Sequence, residues 1–69
     1  DLALAYNGLG IVHEVTEEYG KALECYFRAL DIRKKSFGDS HPSTLSSYEC
    51  YSRVMMIIKG ESSSSGYGN

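Results

Sequence analysis

No tryptophan, one proline, two cysteines and no apolar run longer than Val54 to Ile58 occur in this chain of 69 residues. Each scarcity excludes something. So short an apolar run falls far below the roughly 20 residues of a membrane-spanning helix. Two cysteines are too few for a secreted disulfide scaffold, and Cys25 and Cys50 read as free thiols of a reducing compartment, so an intracellular, cytoplasmic protein is expected. A single proline beside 42% hydrophobic and 23% charged residues describes an ordinary globular segment rather than a fibrous or disordered one. A basic excess is also missing. The formal charge of −2 gives no electrostatic reason to expect nucleic acid, whose binders carry a basic face. The length leaves no room for a nucleotide-binding sheet with a substrate domain, and so small a core usually needs disulfides, metal or a partner.

Catalytic and metal chemistry find little to stand on. His13 and His41 are separated by a helix pair, and neither has an acidic or nucleophilic partner at motif spacing. With Cys25 and Cys50 they make four potential zinc ligands, yet no Cys-x2-Cys or His-x3-His pair is present. Gly8-Leu9-Gly10 follows no strand, and His13 stands where a phosphate-cradling loop needs its third glycine. No enzyme, no metal site and no cofactor are therefore expected.

What is present is helical periodicity. Leu2, Ala5, Tyr6, Leu9, Val12 and His13 recur at steps of three and four, predicting an amphipathic helix over about residues 2–15. Leu4, Ile11 and Val15 mark a second apolar face, as on a helix that sits between neighbours. Gly8 and Gly10 each cost about 1 kcal/mol relative to alanine in such a helix, so packing must compensate. Gly10, beside the main stripe, marks a close backbone approach.

A second helix is predicted after Thr16, read as its cap, with Glu17 and Glu18 in the first turn. Its stripe runs Tyr19, Ala22, Leu23, Tyr26, Ala29, Leu30 and Phe37. Arg33, Lys34 and Lys35 fall at the end that favours cations, and Gly38 suits a left-handed C-cap. Pro42 suits the first position of a third helix, with the stripe Leu45, Tyr48, Tyr51, Met55 and Ile58, ending near Lys59-Gly60. Residues 61–69 have nothing to bury and are expected to be a disordered Ser/Gly-rich tail, in which Ser62 to Ser65 form a bare linker or accept phosphate.

The third helix is in phase with the first at an offset of 42 residues: Tyr6 meets Tyr48, Val12 meets Val54 and Leu9 meets Tyr51. Tyr6-x2-Leu9-Gly10-x2-His13 followed by Tyr19-x2-Ala22-x3-Tyr26-x2-Ala29 resembles the tetratricopeptide pattern. Ile32 to Gly38, His41-Pro42 and the opening Ala5 to Gly10 are similar to the 42-residue variety found in kinesin light chains. The resemblance covers residues 1–59. It implies an all-α fold, an antiparallel helical hairpin plus a third helix, as a fragment of an α-α superhelical solenoid. Residues 1–40 would be one repeat and 41–60 the first helix of a degenerate second one. Asp1 aligns with Ser43, so the chain is expected to be cut from a longer array. Stacked repeats bury one another's faces, so this piece alone should be marginal or pair with another copy.

The resemblance also implies a protein or peptide partner on the concave surface lined by the first helix of each repeat. By position that surface comprises Leu4, Asn7, Ile11 and Glu14, then Ser46, Glu49, Arg53 and Met56. Asn7 is the leading candidate, since its amide both donates to and accepts from an extended backbone. No lysine occurs in residues 1–20, so a clamp for a C-terminal carboxylate is not evident. The alternative is a structural cap or self-association segment at the end of an array, with no peptide binding of its own.

Overall fold

The computed structural model describes residues 1–67, with side chains through residue 60. Three helices follow one another: α1 (Leu2–Val15), α2 (Tyr19–Phe37) and α3 (Pro42–Tyr67). The fold is all-α. α1 and α2 form an antiparallel hairpin, α3 packs back along the other side of α2, and α1 and α3 scarcely meet. The assembly measures 42 × 25 × 13 Å, so it is about one helix thick.

Capping explains the boundaries. The Asp1 carboxylate accepts from the Ala3 N–H at 3.0 Å and starts α1. Thr16 closes α1 instead of opening α2: its hydroxyl donates to the Val12 and His13 carbonyls, both at 3.1 Å. Glu17 then turns the chain with φ 64°, which leaves Glu18 as the N-cap of α2 without a side-chain cap bond. The hydroxyl adds a second donor to carbonyls that already accept the Thr16 and Glu18 N–H groups at 3.1 and 2.7 Å, and the left-handed residue after it breaks the path forward.

Gly38 does end α2, but with φ 92° and ψ 171°. That is a region essentially reserved for glycine, distinct from the left-handed helical well. His41 is the N-cap of α3, its Nδ1 accepting from the Ser43 N–H at 3.0 Å while its ring stacks on Phe37 at 4.3 Å. α3 continues past the expected stop near Lys59-Gly60, because Gly60 does not take the positive φ of a C-cap. The expectation of a disordered tail over 61–69 lies outside the residues whose side chains are described.

The core is small. Ala22, Tyr26 and Val54 are fully buried, with Tyr19, Leu23, Cys50 and Tyr51 packed around them. Small residues set the approach as expected, and a Cβ added at Gly10 would stand 2.6 Å from the Tyr26 ring. The main stripe of α2 is its buried face, through Ala22, Tyr26, Ala29 and Leu30, but those of α1 and α3 are buried only in part. α1 turns Ala3 and Gly10 inward, while Leu2, Leu9 and Val12 stay exposed. α3 turns Thr44, Ser47 and Val54 inward, while Leu45, Tyr48 and Ile58 stay exposed.

The 42-residue offset explains this. Thr44, Ser47, Tyr51 and Val54 of α3 correspond to Leu2, Ala5, Leu9 and Val12 of α1. The face that α3 lays on α2 is thus the face that α1 leaves open. Conversely, Ala3, Tyr6 and His13, which α1 turns towards α2, correspond to the uncovered Leu45 and Tyr48 and the half-buried Met55. Each of these two helices has more than one apolar face, and α2 covers a different one in each.

The polar part of the core is satisfied. Arg33 Nη1 donates to the buried Ser47 hydroxyl at 3.0 Å and to the Ser43 carbonyl at 3.4 Å. Thr44 donates to the Arg33 carbonyl at 3.2 Å. Among the described residues no buried side-chain nitrogen or oxygen lacks a partner.

Candidate functional site

The groove positions divide into a polar bridge and an apolar surround. Glu14, half-buried near the end of α1, and Arg53, exposed in the middle of α3, meet although 39 residues separate them. Arg53 Nε donates to Glu14 Oε2 at 3.1 Å and Arg53 Nη2 donates to Oε1 at 3.2 Å. The Tyr26 hydroxyl donates to the same Oε1 at 2.8 Å. Two parallel N–H bonds from a planar guanidinium are a strong form of ion pair, and here they join α1 to α3.

The electrostatics follow the geometry. Arg53's hydrogen bonds hold the Glu14 carboxyl below its ordinary range, partial desolvation opposes them, and the Tyr26 hydroxyl lowers it further. Burial, then donation to Glu14, pushes the Tyr26 phenol well above its usual value. Tyr26 is therefore a neutral donor and Glu14 a charged acceptor at neutral pH. Sequence reasoning placed Glu14 and Arg53 in the groove as separate residues and Tyr26 in the core. The glutamate-to-arginine separation carries no local signal, and a buried tyrosine's need of a hydroxyl partner was the one available hint.

The remaining positions are spread along the two helices. Leu4, Ile11 and Met56 are 60%, 48% and 68% exposed. Ser46 and Glu49 are exposed, and Asn7 is half-buried. Among the described residues only Glu14 and Arg53 of the eight are hydrogen-bonded to each other, and the Asn7 amide makes no side-chain hydrogen bond.

The histidines and cysteines serve locally. His13 Nδ1 lies 2.9 Å from Glu18 Oε1, and this bond holds the Glu18 carboxyl below its usual range. Cys25 and Cys50 are both free and half-buried, and burial pushes the Cys25 thiol up. Among the described residues no group of three or more His, Cys, Asp or Glu is placed to hold a metal. Among the described residues no helix is long and apolar enough to cross a membrane.

A family model described as tetratricopeptide repeat matches residues 1–55. No curated protein and no solved structure matches the chain.

Proposed function

We propose a function from one premise: this chain belongs to the tetratricopeptide-repeat family. It is a protein-interaction module, and it offers the surface of Leu4, Asn7, Ile11, Glu14, Ser46, Glu49, Arg53 and Met56 to a partner peptide. Residues 1–40 form one repeat of the 42-residue, kinesin-light-chain-like variety, and residues 41–60 the first helix of a degenerate second. It acts as a scaffold in the cytoplasm and does no chemistry.

The observation that carries this is the Glu14–Arg53 bridge. It ties the two equivalent helices together at groove positions and leaves Ile11 and Met56 exposed beside it, with Leu4 exposed at the other end of α1. Apolar side chains left open around a fixed polar pair are what an extended or helical peptide uses for anchoring and orientation. The Asn7 amide, without an internal partner, adds a donor and an acceptor for a peptide backbone.

The test is panning of a displayed random-peptide library on the chain and on its Asn7→Ala and Ile11→Ser variants, with thermal unfolding measured alongside. Peptides that bind the parent and are lost by both variants at unchanged Tm support the groove. Peptides retained by both variants overturn it.

A second function, a cap on an array, is favoured by the exposure of Leu45, Tyr48 and Ile58 on α3. It expects Tyr51→Asp or Ile58→Asp to unfold or dissociate the protein. A stable monomer after either change excludes it.

A further inference from the structure

The side of α2 turned away from the core is only flanked by its neighbours, with the Tyr51 ring of α3 5.9 Å from Phe27 and the Tyr6 ring of α1 6.0 Å from the Arg28 guanidinium. Ala22, Tyr26 and Ala29 point inward, and Lys21, Glu24, Phe27 and Arg28 stand exposed on the other side with the half-buried Asp31. Phe27, in the middle, is 53% exposed. A cleft of about 500 Å³ opens on its α1 side, against Leu2, Tyr6 and Ile32. A second, of about 310 Å³, opens on its α3 side, against Gly20, Leu23 and Tyr51. The surface is an aromatic ridge between two hollows.

The charges on this ridge have a hidden symmetry. Counting outward from Tyr26 in both directions, two residues away stand Glu24 and Arg28, and five away stand Lys21 and Asp31. Both pairs are of opposite sign. Two α2 helices laid antiparallel, with a two-fold axis at the level of Tyr26, set each charge beside its opposite on the other copy. Such a contact is isologous, the same patch meeting itself. The two Phe27 rings would then be offset by two residues, about 3 Å along the axis, close enough to pack on one another.

Two simpler causes bear on the pattern. Helix-dipole preference explains acids at the start and bases at the end of α2, but Lys21 and Asp31 run against that order. Pairing within the helix explains Arg28 with Glu24 at 3.5 Å and Lys35 with Asp31 at 3.3 Å. It also gives Lys21 an acidic neighbour in Glu18, but it does not require Lys21 and Asp31 to stand equally far from Tyr26, and their ten-residue separation, about 15 Å along one helix, rules out a bond between them within one chain.

We propose that the outward face of α2 is a self-association surface, on which two copies of this chain pack antiparallel, Phe27 on Phe27 and Lys21 of each beside Asp31 of the other. It shares no residue with the peptide groove and does not depend on it.

The experiment is sedimentation of the full chain with Lys21→Asp, Asp31→Lys and the double reversal, with circular dichroism to follow helix content. The parent should dimerise, each single reversal should weaken the dimer by about tenfold, and the double should recover it. Intrahelical pairing expects the opposite: the double should be the worst, since Asp at 21 joins Glu17 and Glu18 while Lys at 31 joins Lys34 and Lys35. Should a reversal unfold the chain, carbodiimide coupling of the unaltered protein decides, because an amide between Lys21 and Asp31 can form only between copies. A parent that stays monomeric at about 1 mM, a double variant no better than the singles, or a covalent dimer lacking that amide overturns the proposal.

Discussion

Arg53 grips Glu14 with two N–H donors, at 3.1 and 3.2 Å, across 39 residues of sequence. This is the one polar clasp between α1 and α3 among the described residues. Its arginine side chain is 54% exposed and its glutamate 20% exposed, so solvent screens the pair, and its worth is that of a good surface ion pair, about 1 kcal/mol.

That clasp gives a pH dependence. The bonds from Arg53, and then Tyr26, hold Glu14 below its ordinary pKa of 4.5. A carboxyl with a depressed folded pKa adds stability above its unfolded value and loses it as pH falls through the folded one. Thermal stability should therefore drop as pH falls below about 4.5. Arg53→Ala should lower Tm at neutral pH and flatten the acid limb, and melts at a series of pH values check both.

Gly10 and Gly8 should respond in opposite directions to alanine. At Gly10 the new Cβ meets Tyr26 carbons at 2.6 and 2.7 Å, and the ring, locked in the core, has little room to move. Overpacking of this kind costs about 1–3 kcal/mol. At Gly8 nothing stands within 4 Å, so alanine should stabilise by up to about 1 kcal/mol through helix propensity. Urea unfolding of the two variants reads both signs.

Gly38→Ala should destabilise without any clash. Nothing lies within 4 Å of the would-be Cβ, but φ 92° with ψ 171° is disfavoured for any residue with a side chain, at about 1–3 kcal/mol. A shifted denaturation midpoint with an unchanged m-value is the expected signature.

The buried faces can be told apart by truncation. Val54 is fully buried and Leu9 is 49% exposed. Val54→Ala should cost about 2 kcal/mol and Leu9→Ser less than about 1 kcal/mol. Equal losses would mean that the first-helix stripe is packed after all.

The sequence by itself determined the helices, since three-and-four spacing, the two glycines and Pro42 depend only on neighbours along the chain. α1 matches the expected span, and α2 begins at Tyr19 once Thr16 is assigned to the helix before it. The small-residue contacts at Gly10, Ala22 and Ala29 were legible too, Gly10 from its place beside the stripe, whereas Gly8 in the same helix has nothing within 4 Å. The stripe of α2 through Ala22, Tyr26, Ala29 and Leu30 is its buried face, but which face of α1 and α3 would be buried was not legible. Periodicity says that Leu2, Leu9 and Val12 share a side, but α1 has several apolar sides and a single covering helix. Only the tertiary structure chose Ala3 and Gly10 for α1 and Thr44, Ser47 and Val54 for α3. The physical reason is steric: α2 comes closest where side chains are smallest, and the bulkier stripes are left facing outward. The same structure turned Glu14 and Arg53 from two groove residues into one clasp, since hydrogen bonds across 39 residues exist only once the helices are packed.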